Sequence, residues 1–322
     1  MRLWSDANRG YLRGLLAGDR RLEGVRVFFY HGVVERKKDP LLERNFSLLT
    51  EFQSHLRFLR RFRVLSLREL ADELSSTGTT INRAAVITVD DGFANSVVIG
   101  EIANVLRLPW SLFISTGAVG RENSLWPIEL ALLVLHGHAE QVEVFDGLWR
   151  MNSSDEREVG FRSILAAMKG LPSNSRRLTM DCIRQQFPKS ETHRLLYEFP
   201  SVQMLSWEQA RQLASAGVEI ASHGVDHEIH HMDQTAETRW HELTESKIQL
   251  TKRLHRPCAF FAFPNGDFTP SSAGEVQRAG YELGFTTQPK SIMHGANPFI
   301  LPRLYPAGPL HQLARDFFWQ TR

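Results

Sequence analysis

The chain has 322 residues, 42% hydrophobic and 23% charged, with a formal net charge of +2 and a pI near 8.6. That size and composition suit one large α/β domain or two ordinary ones. The near balance of 38 basic against 36 acidic residues argues against a dedicated nucleic-acid partner. Only two cysteines, Cys182 and Cys258, are present, far apart and without metal-ligand spacing, so neither a disulfide framework nor a cysteine zinc site is expected. No segment approaches the roughly 20 apolar residues of a transmembrane span, and residues 1–24 lack the continuous apolar run of a signal peptide. A cytoplasmic location is therefore expected, with peripheral membrane association left open.

In chain order, the first strand-like run is VRVFFYHGV (25–33), which carries His31 near its end. LLTEFQSHLRFLRRF (48–62) follows as an amphipathic helix with Phe52, Leu56 and Leu59 inward, so the basic residues Arg57, Arg60, Arg61 and Arg63 read as its solvated face. AAVITVDDG (84–92) and PWSLFISTG (109–117) are the next strands. Residues 118–200 differ in character, with helix-like pieces near 125–139 and 155–187, and read as a mainly helical insertion. EQARQLASA (208–216) is a helix opened by Ser206 with Gln209 three residues on, the pattern of a capping box. GVEIASHG (217–224), the amphipathic TRWHELTESKIQLTKRL (238–254), CAFFAFPNG (258–266) and ELGFTT (282–287) complete the alternation. Strands separated by helices predict a parallel sheet or barrel.

The stretch AAVITVDDG holds two adjacent acids at the carboxyl end of an apolar strand, where α/β folds place chemistry. A turn is the competing reading, because Asp-Gly favours turns. His223 and His227 lie at another strand end, and an imidazole pair with one carboxylate is a common three-ligand set for a catalytic divalent ion.

TVDDG, SHGVDH and FAFPNG, in that order and at strand ends, resemble the motifs of polysaccharide deacetylases, carbohydrate esterase family 4. The resemblance covers residues 25–117 and 203–306. It implies a distorted (β/α) barrel of about seven parallel strands, one deacetylase domain across 1–322 with the insertion at about 118–200, and a hydrolase that removes acetyl groups from N-acetylated or O-acetylated sugars. It implies Asp91, His223 and His227 as ligands of a divalent ion, with zinc expected, and Asp90 as general base. The Asn265 amide in the Pro264-Asn265-Gly266 turn is implied as an oxyanion donor. The commoner pattern has an arginine two residues before that proline, where this chain has Ala262; LPR (301–303) resembles an alternative that makes Arg303 the partner of Asp90. The partner is an acetylated saccharide, expected to be a lipid-linked or nucleotide-linked precursor rather than mature cell wall.

For the general acid, relatives with a rearranged strand order carry an early YH strand, which makes His31 the candidate; His294 in SIMHGANPF is the alternative. HEIHH (227–231) also satisfies the H-E-x-x-H zinc-protease pattern, which requires a regular helix that the preceding strand and Gly224 oppose; His230 and His231 then read as loop residues. Trp126 and Trp149 are either core residues or platforms for a sugar ring. A barrel that binds glycan without catalysis is the alternative function of a different class.

Overall fold

The computed structural model describes residues 23–76, 83–120, 124–306 and 308–319; most of the amino-terminal stretch read above against a signal peptide lies outside them. Seven parallel strands form one curled sheet: β1 (Val25–Tyr30), β2 (Arg63–Leu65), β3 (Ala84–Val89), β4 (Ser111–Ile114), β5 (Glu219–Ser222), β6 (Phe260–Ala262) and β7 (Leu283–Phe285). Their spatial order is β1-β3-β4-β5-β6-β7, with β2 on β3. All six residues of β1 pair with β3, from Val25↔Ala84 to Tyr30↔Val89. The other edge of β3 is shared, Ala84–Val86 pairing with β2, and Thr88 and Val89 with the start of β4. β2 is the strand the sequence reading missed; three residues with one buried leave too little periodicity to see.

A seam remains between the outer strands β1 and β7, and residues 301–304 lie in it. Leu301 bridges to Phe285 and Leu304 to Phe28, both parallel, so the curled sheet closes toward the expected distorted barrel. Alternation sorts the side chains. Val25, Val27, Ala84, Val86, Phe113, Ala221 and Phe285 form one apolar cluster inside. Phe28, Tyr30, Ile87, Val89 and Leu112 pack outward against Phe52 and Leu56 of the helix Leu49–Leu59. Burial on both faces is why these strands read as unbroken apolar runs. Arg57, Arg60, Arg61 and Arg63 are exposed, but of the four only Arg57 lies within the helix Leu49–Leu59, Arg60 capping it and Arg63 opening β2; the Ser206–Gln209 capping box opens the helix Trp207–Ser215.

The insertion holds the helices Trp126–His136, Ser154–Lys169, Ser173–Arg184 and Glu191–Glu198. The single helical stretch read over 155–187 is two helices, because Gly170 ends the first and Pro172 caps the second. An antiparallel hairpin, Gln141–Val144 with Gly147–Arg150, was not anticipated. Its turn residues Phe145 and Asp146 both have positive φ, 55° and 57°, a type I′ geometry whose usual Asn-Gly signal is absent here. The insertion's apolar core, with Leu130, Phe161 and Leu195, is continuous with Leu42, Phe46, Phe93 and Ile229. It therefore packs over the carboxyl end of the sheet. No helix among the described residues is long and apolar enough to cross a membrane.

Candidate active site

The alternation that builds the interior also delivers the polar residues. Counting by twos, Val25 and Val27 lead to Phe29 and His31, Ala84 and Val86 to Thr88 and Asp90, and Ala221 to His223. Once the apolar layers end, the next inward positions are His31, Asp90 and His223. They line a cavity of about 260 Å³ together with Asp91, His227 and Asn265. The turn reading of Asp90-Asp91-Gly92 is compatible with a place at this cavity, since Gly92 N–H donates to Asp90 O at 3.0 Å while both acids line it.

Asp91, at φ 75°, leaves the strand direction and turns its carboxylate toward the two histidines. Its Oδ1 lies 3.4 Å from Nε2 of His223 and 3.4 Å from Nε2 of His227. These contacts lack hydrogen-bond geometry, so a buried carboxylate oxygen is left without a donor. His223 Nδ1 meets the Ala262 carbonyl at 2.8 Å, which fixes that nitrogen as the N–H and leaves Nε2 with its lone pair toward Asp91. Two imidazole nitrogens and an unsatisfied oxygen within 4.8 Å of one another are a fitting donor set for a divalent cation. Burial alone would raise the Asp91 carboxyl, but His31, His223 and His227 hold it well below the usual carboxylate range.

Asp90 is kept apart from that set by Arg303. The guanidinium donates to both carboxylate oxygens at 2.7 Å, to Thr88 Oγ1 at 3.2 Å and to the Thr286 carbonyl at 3.0 Å. It is fully buried and stacks 4.8 Å from the Phe29 ring centroid and 5.5 Å from that of Phe113. Burial pushes the Asp90 carboxyl up, yet Arg303, His223 and His31 together hold it below its ordinary value. Arg303 reaches this position because it lies in the seam beside β1, whose neighbour β3 ends at Asp90.

His31 faces the same cavity, with Nδ1 buried and without a hydrogen-bond partner. Burial lowers its pKa, partly opposed by Asp91 and Asp90. His294 is not there. It is exposed in a turn beside Ile292, which bridges to Val25 at the amino end of β1, the opposite end from the site. Asn265 has φ 59° and Gly266 N–H donates to Phe263 O at 2.8 Å, a type II turn with proline at its second position.

The segment HEIHH contains no helix, and His227 has φ 58°, so the H-E-x-x-H geometry of a zinc protease does not form. Glu228 instead forms a buried ion pair with Arg176 of the insertion. His230 is buried against Phe261 and Phe263 and held neutral by burial, its pKa lowered to about 3, while His231 Nε2 contacts the Leu171 carbonyl at 3.1 Å. Trp126 lines the cavity and donates through Nε1 to the His227 carbonyl at 3.3 Å. Trp149 is half-buried against the insertion core and does not line the cavity.

Three supporting residues escaped the sequence reading. Glu242, 1% exposed, accepts the backbone N–H groups of Val225, Asp226 and Glu228, the loop that carries His227. It falls on the buried face of its helix with Leu243, Ser246 and Leu250, and an acid on such a face is the signal that was available. Arg44 and Lys169, the other two, line the outer cavity and come from outside the barrel strands, where nothing local marks them.

Residues 176–284 match the family described as polysaccharide deacetylase, a span that includes His223, His227 and the Pro264–Gly266 turn. A protein of Bacillus subtilis (strain 168), YxkH, described provisionally as a polysaccharide deacetylase, is 26% identical over 101 residues, 31% of this chain and 36% of that protein. The match thus spans about a third of the curated relative's length. Among solved structures, the Streptococcus pyogenes deacetylase PplD in complex with acetate aligns with a TM-score of 0.59 at 15% identity, covering 92% of this chain and 99% of that one. IcaB from Ammonifex degensii aligns with a TM-score of 0.58 at 16% identity, covering 92% and 97%. At such identities the structures speak for the fold, a curled parallel α/β half-barrel. The carboxyl-terminal half of the sheet, with His223, His227 and the Pro264–Gly266 turn, is thus similar to polysaccharide deacetylases in sequence, and the chain shares their fold.

Proposed function

We propose that the chain is a metal-dependent hydrolase that removes acetyl groups from N-acetylated amino sugars or their saccharide precursors. The observation that carries this reading is the pairing of an unsatisfied Asp91–His223–His227 triangle with a separate, arginine-held Asp90 in one cavity. Asp91, His223 and His227 would hold the ion, for which their nitrogen and oxygen donors suit Zn²⁺. When bound, a divalent ion supplies Lewis-acid polarisation of the acetyl carbonyl and lowers the pKa of water.

The chain's own residues divide the remaining work. Asp90, ionised and oriented by Arg303, takes the proton from the attacking water. The Asn265 N–H, aimed by its left-handed backbone, is the candidate donor to the oxygen that gains charge in the tetrahedral state. His31 then gives a proton to the departing sugar nitrogen, so that acetate and a free amine leave. Its lowered pKa keeps the ring neutral before reaction, so it must collect a proton during the cycle.

Acetate release from a panel of N- and O-acetylated saccharides, with added zinc and with a chelator, tests the reading. Zinc-dependent release from an N-acetylated member is expected. Release from none of them would leave a barrel that binds glycan without catalysis.

A further inference from the structure

The cavity has two chemically distinct parts. Its inner end holds His31, Asp90, Asp91, His223 and His227; among the described residues, the other charged residues lining it are Arg44 and Lys169, both cationic. They come from separate places, Arg44 from the loop after β1 and Lys169 from the last residue of the insertion helix Ser154–Lys169. Among the described residues neither has a carboxylate within 4.0 Å. Lys169 Nζ donates to Asn265 Oδ1 at 2.6 Å, so it touches the turn proposed to receive the oxyanion. Arg44 lies 5.9 Å over the Phe161 ring. Burial, and after it the charge of Arg44, lower the Lys169 pKa, with Asp267 opposing from outside the cavity.

Each cation has an ordinary explanation by itself. A lysine in a last helical turn complements the helix dipole, and an exposed arginine over a ring is common. Neither explains why two separate segments bring like charges to one cavity whose lining acids among the described residues, Asp90 and Asp91, are already engaged with Arg303 and the two histidines at its inner end. A visiting anion does, because it would be held by charge-assisted hydrogen bonds from both sides.

We propose that Arg44 and Lys169 form an anion-recognising edge of the substrate cavity, selecting an acylated sugar that carries a phosphate or carboxylate on the same or the adjoining residue. The inference rests on the deacetylase reading for the word substrate but concerns binding alone. The phosphate would come from a glycosyl phosphate, the carboxylate from a uronic acid.

The test is equilibrium binding to the zinc-loaded full chain, using N-acetylglucosamine 1-phosphate, an N-acetylated aminouronic acid and the neutral methyl N-acetylglucosaminide. At least one anionic sugar should bind about tenfold or more tighter than the neutral one, as expected for charge-assisted hydrogen bonds. Arg44→Gln should erase most of that preference while leaving neutral-sugar affinity within about twofold; raising the salt should erode the preference in the parent protein. Lys169→Gln should do the same, and melting curves establish that both variants are folded. Whichever anion is preferred identifies the source. Equal affinity for charged and neutral sugars, a preference that survives both substitutions, or no binding of either anionic sugar would overturn the inference. Acetate release from the neutral glycoside without any charge preference would retain the deacetylase and discard the edge; charge preference without acetate release would do the reverse.

Discussion

Replacing Arg303 with methionine probes the least local feature of the site. The side chain is fully buried and makes four hydrogen bonds, two of them to Asp90 at 2.7 Å. Methionine roughly conserves the packing against Phe29 and Phe113 but leaves the Asp90 carboxylate, itself 3% exposed at the side chain, without its counter-ion. Breaking a buried pair from one side costs about 3–5 kcal/mol, and that is the expected loss for Arg303→Met at pH 7. Asp90→Leu, which strands the guanidinium, should cost a similar amount. The double variant Asp90→Leu/Arg303→Met removes both charges and should be clearly less destabilised than the sum of the two, because a paired ion and an apolar isostere come out nearly level.

Denaturant unfolding of the metal-free protein, followed by circular dichroism, gives all four stabilities of the cycle. The pH dependence has a defined sign. Asp90 has a depressed folded-state pKa, so its contribution is present above the ordinary carboxylate pKa and lost as pH falls toward and below it. In Arg303→Met burial is left to raise that pKa, so the variant recovers on acidification and the gap between it and the parent should narrow from pH 7 downward. A loss below about 1 kcal/mol for Arg303→Met, or strictly additive single variants, would show that the pair is not the coupled buried unit its geometry implies.

Two further outcomes follow from the division of labour. Asp91→Ala, His223→Ala and His227→Ala should each lower zinc affinity in a chelator competition, while Asp90→Asn keeps zinc and loses acetate release; equal loss of zinc in all four would refute the separation of ligand from base. His31→Ala should leave zinc affinity nearly unchanged, lower turnover of an N-acetyl sugar by roughly 10² to 10⁴ and affect an activated acetyl ester much less, and a uniform loss on both substrates would remove His31 as the acid.

How much of this was legible in the sequence depends on how local each cause is. The strand-end residues could be read because alternation is local: in VRVFFYH and AAVITVD the same parity that buries Val27 and Val86 aims His31 and Asp90 inward. The contact between Arg303 and Asp90 spans 213 positions, and no periodicity reaches across that distance. It was found through resemblance, and its physical cause, a segment filling the seam between β1 and β7, is visible only in three dimensions. His294 failed for the matching reason. Proximity along the chain to the family's motif places it well, but the antiparallel bridge of Ile292 to Val25 carries it to the wrong end of the barrel.

The insertion marks where local reading stops being sufficient. Its sequence gives helices and, in Trp126 and Trp149, two candidate sugar platforms, but nothing local that ties them to the strand-end residues, yet Trp126 bonds the His227 carbonyl and Arg176 neutralises Glu228 next to it. Glu242 gathers the amides of the same loop from the opposite side. These contacts surround a residue at φ 58°, a left-handed conformation that a histidine adopts at a cost of about 1–3 kcal/mol unless its surroundings over-determine it. Asp91 and Asn265 are strained in the same sense, at φ 75° and 59°. The barrel fixes where the strands end, but the direction in which His227 leaves its strand is set by partners drawn from the insertion and an outer helix. A sequence motif records which residues arrive at the site; the strained backbone that aims them is recorded nowhere near the motif.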